Sequence, residues 1–281
     1  MRVGIIGLGL IGGSLGLDLT AKGYEVIGVS RNPETCSKAL RKGVASTSGV
    51  DFSLLKGCDM VVIATPIEYI LPTLKNLVPY LSPHTVVTDV GSVKESIVAS
   101  AQEIWSNFVG SHPMAGTANS GIDAVEKDLF KDAPCVITPN DNTSVRAIAL
   151  VEKMWLSVGC KILTTTPTIH DQAVAWISHL PVIISANLIY SCLGEKDEKV
   201  RIFAEKIASS GFRDTSRVGG GNPELGLMMA KNNQKNVLNS LKEYQNKLDT
   251  IINNIESNNW SEIEQLLKTT QTKRNDFLID N

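Results

Sequence analysis

The chain has four histidines, and one of them, His112, stands between a serine and a proline in FVGSHPMAG, where an apolar run stops. An imidazole, with an unperturbed pKa near ~6.5, is well suited to take a proton at neutral pH. At the end of a strand, beside the rigid ring of Pro113, it would sit at a sheet edge rather than in a solvated loop. A second polar cluster, HDQAVAWISHLP, carries His170 and His179 nine residues apart. On a regular α-helix that spacing points them to opposite faces, so they form no metal pair, and no metal site is expected. His179 is expected to face a cleft and His170 to brace a domain junction. A third cluster, GFRDTSRVGGGNPE, offers Arg213 and Arg217 in a glycine-rich loop between helices. Their guanidinium forks suit bidentate capture of a small carboxylate, although Asp214 can also pair with Arg213 structurally.

The N-terminal GLGLIGGSLG supplies Gly7-x-Gly9-x-x-Gly12 directly after a strand-like run and at a helix start. There the glycines allow a tight turn, close approach to a pyrophosphate and close helix packing, and the helix N-terminus faces the anion. About 20 residues further on, where an NAD site presents an acid, the chain reads GVSRNPET. A carboxylate would repel a 2′-phosphate, whereas Ser30 and Arg31 would bind one, so NADP is the expected cofactor. Thr35 adds a hydroxyl from the next helix start, and Asn32 is a less direct candidate. VVIATP and VTDVGSVKES end two further strands and place Thr65, Asp89 and Ser92 at the carboxyl edge of the sheet, where α/β folds bind ligands. Taken alone, Thr65-Pro66 also suits a helix start. Ser92 equally suits a helix cap, with Glu95 completing a capping box.

These groups need a frame, and the residue pattern supplies one. RVGIIG, YEVIGVS, MVVIAT, TVVTDV, NFVGS, PCVITP and CKILTTT recur through the first 165 residues, separated mostly by helix-period segments such as 14–22 and 34–41. Strands alternating with helices imply parallel βαβ units, so residues 1–165 are expected to form a doubly wound, Rossmann-type α/β domain. From Pro167 the pattern is helical, and residues 166–281 are expected to form an all-α substrate and dimerisation domain. Thr166-Pro167 and Asn222-Pro223 each read as an N-cap followed by proline at the first helical position. Leu238, Leu241, Leu248, Ile251, Ile252 and Ile255 form one apolar stripe on a long helix. A helical domain of this size usually buries such a stripe against a two-fold partner, so a homodimer is expected.

Composition narrows the partners. With 27 Lys plus Arg against 29 acids among 281 residues, the net charge of -2 gives no extended positive field, and nucleic acid is not an expected partner. Five cysteines, odd in number and without CxxC spacing, read as buried free thiols in a reducing compartment. The start MRVGIIG has no signal-peptide grammar, and no run reaches 18 uninterrupted apolar residues. A cytoplasmic location away from membranes is expected.

Together, the glycine fingerprint, GSVK, GSHPMAG, HDxxxAxxSHLP and GFRDTSR resemble the prephenate and arogenate dehydrogenases of tyrosine biosynthesis over essentially the whole chain. That resemblance implies that His112 is the catalytic histidine bonded to the ring hydroxyl and Ser92 its hydroxyl-orienting neighbour. It implies that His179 contacts substrate and Arg217 takes the side-chain carboxylate; Arg213 matches the motif with a less defined role. The implied reaction sends hydride from a cyclohexadienol to a nicotinamide while a base takes the hydroxyl proton, and loss of CO2 then makes the ring aromatic. The NADP-type second strand and the two-domain layout are most like the NADP-linked arogenate enzymes, with prephenate the alternative substrate. Two departures stand out. Many relatives carry a further histidine after SHLP, where this chain has Val182, and no regulatory or chorismate mutase domain is expected, so tyrosine feedback would act at the active site. Two rival readings use fewer of these residues. A helical-type hydroxy-acid dehydrogenase would be expected to use a lysine base, which SHLP lacks, and a non-enzymatic NADP sensor would need only the glycine loop.

Overall fold

The structure, a computed structural model, describes residues 1–117 and 119–277. Eight strands form one sheet: β1 (Arg2–Ile6), β2 (Glu25–Val29), β3 (Thr47–Gly49), β4 (Met60–Ile63), β5 (Val86–Asp89), β6 (Phe108–Pro113), β7 (Pro134–Thr138) and β8 (Lys161–Thr164). Their order is β3-β2-β1-β4-β5-β6-β7-β8, with β1 to β6 parallel. The order reverses between β1 and β4, which opens a crevice at their carboxyl ends. Helices α1 (Leu10–Ala21), α2 (Pro33–Arg41), α3 (Ile67–Leu77), α4 (Glu95–Ile104) and α5 (Val145–Ser157) accompany the sheet. Two apolar cores flank it: one takes Val3, Ile5, Leu15 and Trp155, the other Ile27, Ile63, Leu74 and Phe108.

The parallel βαβ pattern expected from alternating strands and helices holds from β1 to β6 and is interrupted once, at β7. Strand β7 runs antiparallel to β6, with His112 opposite Val136 and Pro113 opposite Cys135. A parallel return needs a crossover, commonly a helix. Between Pro113 and Pro134 the described residues form only a single 3-10 turn, Ile122–Ala124.

The helical part comprises α6 (Pro167–Val174), a π-helical turn (Ala175–His179), α7 (Leu180–Leu193), α8 (Glu198–Ile207), α9 (Ser210–Ser216), α10 (Pro223–Asn232), α11 (Gln234–Glu256) and α12 (Trp260–Lys273). Thr166 Oγ1 caps α6 by accepting from Ile169 N, and Asn222 Oδ1 caps α10 by accepting from Glu224 N, as the Thr-Pro and Asn-Pro pairs predict. Residues Pro167–Leu193 form a continuous helical run that by length and composition could cross a bilayer. Its inner face carries His170, Asp171 and His179, all buried, and α7 packs on the 3-10 turn Arg217–Gly220, so it serves as the central helix of this domain. Four of the five cysteines are buried free thiols; Cys192, expected inside, is exposed on the outer side of α7.

Candidate active site

The glycine loop folds as its spacing requires. Gly7 has φ +95, and a Cβ there would meet the Ala64 carbonyl at 2.4 Å; a Cβ on Gly12 would meet the Gly7 carbonyl at 2.0 Å. Gly9, the N-cap of α1, has open space where a Cβ would stand and no side-chain acceptor at the helix start. Uncapped amides facing open space make an anion site. A cavity of about 520 Å³ runs from this loop past Ser30, Arg31, Thr35, Thr65 and Tyr69. Thr65 Oγ1 is buried without a hydrogen-bond partner among the described residues, and Arg31 lies 5.9 Å from the Tyr69 ring centroid. An orphaned hydroxyl, a free cation and a cradle open at Gly9 fit a pyridine dinucleotide. Asn32 is committed elsewhere, since its Oδ1 accepts from Glu34 N to cap α2. Asp89 likewise turns inward, paired with Lys94 and accepting from Gly91 N and Ser111 N.

His112 lies at the end of β6, almost wholly buried, and its ring is joined to the helical domain. Nδ1 is 2.9 Å from His170 Nε2, and His170 Nδ1 is 2.7 Å from Asp171 Oδ1. The same Asp171 carboxylate accepts from Lys94 N at 2.7 Å and Glu95 N at 2.9 Å. An acceptor already serving backbone amides takes the His170 Nδ1 proton as well. His170 Nε2 then presents a lone pair, His112 Nδ1–H donates to it, and His112 Nε2 is left as the free base. Burial is the main force pushing the His112 pKa well below its ordinary value, and the His170 imidazole, the Lys94 ammonium and the His179 imidazole beside it further disfavour a positive charge there. The imidazole is therefore neutral at neutral pH.

Asp171 also explains what Ser92 does not do. The expected capping box of Ser92 and Glu95 is absent: the N-cap of α4 is Lys94, and the cap is supplied by Asp171 from the other domain. Glu95 Oε1 instead accepts from Thr168 Oγ1 at 2.9 Å. Ser92 is left half-buried at the carboxyl end of β5, the strand beside the one that carries His112.

The opposite-face expectation for His170 and His179 also fails, because the helix between them is not regular. The π turn Ala175–His179 inserts an extra residue, which rotates the later segment by about 100° and brings the two within roughly 80° of each other. Pro181 supplies the cause: it lacks an N–H and its ring crowds the carbonyl four residues back, so the turn before it widens. Both imidazoles now bear on His112. His179 is fully buried, its pKa pushed down to about 4 chiefly by burial, and its Nε2 has no partner among the described residues.

Arg213 and Arg217 are less loop-like than GFRDTSRVGGG suggests. Arg213 lies on α9, exposed, with Nε 3.1 Å from Asp214 Oδ1, which is the structural pairing. Arg217 opens the 3-10 turn, is exposed, and makes no ion pair among the described residues. The turn is pinned to α7: Gly219 N donates to Ser185 Oγ, Ser185 Oγ donates to Thr215 O, and a Cβ on Gly219 would meet Ala186 N at 2.2 Å. The structure thus joins His112, His170, Asp171 and His179 in one buried group, while both arginines stand outside it.

Lys94 is the functional residue that residue-type reasoning misses. It is fully buried, ion-paired to Asp89, and donates to the Ser111 carbonyl at 3.0 Å. Burial pushes its pKa below the ordinary lysine value, and Asp89 opposes that shift. Its only sequence signal is membership of the GSVK motif, since a lone lysine is normally read as solvated.

Comparison with known proteins completes this picture. Residues 15–164 match the prephenate dehydrogenase nucleotide-binding domain and residues 166–269 the prephenate dehydrogenase dimerization domain. The chain belongs to the prephenate dehydrogenase family. It is 50% identical to an arogenate dehydrogenase from Synechocystis, with TM-score 0.91, over 99% of this chain and all of that one. Prephenate dehydrogenase from Aquifex aeolicus, solved with hydroxyphenyl propionate and NAD+, is 28% identical with TM-score 0.92, covering 99% of this chain and 98% of that one. The Bacillus subtilis prephenate dehydrogenase is 30% identical over 96% of this chain and 74% of its own length. As a family member the chain is an oxidoreductase of aromatic amino acid biosynthesis that uses a pyridine nucleotide.

Proposed function

We propose that the protein oxidatively decarboxylates L-arogenate to L-tyrosine with NADP+ as hydride acceptor. The observation that carries the chemistry is the Asp171–His170–His112 chain, which leaves one neutral base nitrogen, His112 Nε2, at the carboxyl edge of the sheet. In this reading His112 takes the ring hydroxyl proton and Ser92 orients that hydroxyl. The positive charge that develops on His112 is shared through His170 toward the Asp171 carboxylate. A bound nicotinamide supplies the hydride acceptor. Loss of CO2 from the resulting dienone makes the ring aromatic and the step irreversible. Arg217 binds the side-chain carboxylate, and Arg213 assists only if it leaves Asp214. The nucleotide is held by Gly7, Gly9, Gly12, Thr65, Ser30, Arg31 and Thr35, and the domains divide at residues 165 and 166.

Arogenate over prephenate is supported by the likeness to the Synechocystis enzyme. The two substrates differ where one carries an ammonium and the other a keto group, and a buried ammonium needs acceptors. Asn222 is a poor acceptor, because its Oδ1 already receives Glu224 N. The backbone carbonyls of residues 219–221 are the acceptors left to serve the ammonium. The test is stoichiometric: arogenate and NADP+ should yield one tyrosine, one NADPH and one CO2 per turnover. Absence of tyrosine would reject the reading, and formation of 4-hydroxyphenylpyruvate from prephenate alone would transfer it to the other substrate.

NADP preference rests on the hydroxyl and guanidinium at Ser30 and Arg31. Exchanging them as Ser30→Asp with Arg31→Ala should lower the NADP/NAD ratio of kcat/KM at least about tenfold, the value of one charge-assisted bond. A wild-type enzyme that already prefers NAD would refute the assignment. Arg217→Ala should raise the substrate KM by about 10- to 100-fold, ~1.5–3 kcal/mol, with a smaller effect on kcat. An unchanged KM would remove Arg217 from the site.

A homodimer is the natural home for the remaining apolar surface. Leu248, Ile252 and Ile255 of the α11 stripe stay 43–48% exposed in the single chain, and Tyr190 and Leu193 near the end of α7 stay 76% and 58% exposed. A cavity of about 730 Å³ lies between α7 and α11, lined by Ile184, Leu188, Leu238 and Leu241. The matched dimerization domain supports a second copy as its cover.

A further inference from the structure

Asn233 occupies the break between α10 and α11, in a run that reads as solvated polar sequence, yet it is only 4% exposed. Its amide is committed at both ends. Nδ2 donates to the Asp171 carbonyl at 2.7 Å and lies 3.2 Å from His179 Nδ1, while Oδ1 accepts from Asn236 Nδ2 at 2.8 Å. A carbonyl only accepts, so the end facing Asp171 is the amino group, and an amino group only donates. His179 Nδ1 must therefore accept, and a neutral imidazole then carries its proton on Nε2. That Nε2 is the buried atom with no partner among the described residues.

We propose that Asn233 is a positioning residue that presets His179 as a neutral Nε2–H donor for an anionic oxygen of the substrate. The substrate contact rests on the function proposed above; the tautomer does not. A neutral donor orients a carboxylate without setting a formal positive charge against it. That matters for a group that must surrender its electron pair and leave as CO2, since stabilising the carboxylate more than the transition state slows the step. Aspartate at this position would reverse the demand: its oxygens accept, so His179 Nδ1 would have to carry a proton.

The test is histidine ¹⁵N NMR on the full-length protein at pH 7.5, with the His179 signals assigned by their loss in His179→Gln. The expected wild-type pattern is a protonated Nε2 and a bare Nδ1. Asn233→Asp should protonate Nδ1 and raise the KM for substrate at least tenfold, while the KM for NADP+ stays within twofold. A residue that merely closes the helix junction would leave the tautomer unchanged. A wild-type His179 protonated on Nδ1 overturns the proposal, as does a tautomer flip in Asn233→Asp with an unaltered substrate KM. Should the variant not fold, the wild-type spectrum decides the tautomer and the substrate KM of His179→Gln decides the contact. If neither cyclohexadienol is turned over, the proposed function fails and the spectrum still judges Asn233.

Discussion

Replacing His112 by alanine is expected to lower kcat by about 10²–10⁴ while changing substrate KM little, because it withdraws general-base catalysis and no ground-state contact of comparable worth. The pH dependence sharpens this. The active form is the neutral imidazole, and burial, with the two other imidazoles and the Lys94 ammonium beside it, holds the His112 pKa well below its ordinary value. Activity should therefore be level through neutral pH and fall only on the acid side, below the usual imidazole range near ~6.5. The same depression has a stability consequence: the contribution of His112 to folding is complete above the unfolded pKa and is lost as pH falls below it. Kinetics of the wild type and the alanine variant across pH check the catalytic statements, and denaturant midpoints of the two across the same range check the stability statement. Retention of more than about a tenth of wild-type kcat would reject the base assignment.

The largest stability effect is expected at Lys94. Lys94→Met leaves Asp89 buried at 0% exposure without its cation, and breaking a buried pair from one side costs about 3–5 kcal/mol. Replacing both partners, as in Lys94→Met with Asp89→Leu, should recover much of that loss, since an apolar pair carries no uncompensated charge. Denaturant midpoints of the three proteins measure it. A single substitution costing under about 1 kcal/mol would show that the pair is not desolvated in solution. Removing the Lys94 charge should also let the His112 pKa rise, moving the acid limb of activity upward.

The parts of this molecule legible in its sequence are those whose chemistry is local. A tight turn, a pyrophosphate cradle and a helix start fall within six residues, so Gly7, Gly9 and Gly12 announce themselves. The Thr166 and Asn222 caps are equally local. His112 was legible as a strand-end imidazole, but its tautomer was not, because the groups that fix it lie 58 and 59 residues away at His170 and Asp171. The capping box at Ser92 is a sound local pattern that loses to a distant carboxylate: Asp171 brings a charge to the α4 amides, where a serine hydroxyl brings only a dipole. The relative facing of His170 and His179 failed for a different reason. Periodicity assumes one register throughout, and Pro181 breaks it by one residue. Strand runs alone carry no direction, so antiparallel β7 is legible only from its connection, where residues 114–133 carry no helical period. Lys94 and Asn233 share one cause: residue types that are usually solvated give no sign, within their own segments, that they are buried.

Steady-state kinetics of the purified protein with each of arogenate and prephenate, paired with each of NADP+ and NAD+, decide the substrate and the cofactor. The expected result is that kcat/KM is highest for arogenate with NADP+ and that tyrosine is the product. A higher NADP-dependent kcat/KM with prephenate than with arogenate would contradict it, leaving the family and the proton-transfer chain in place.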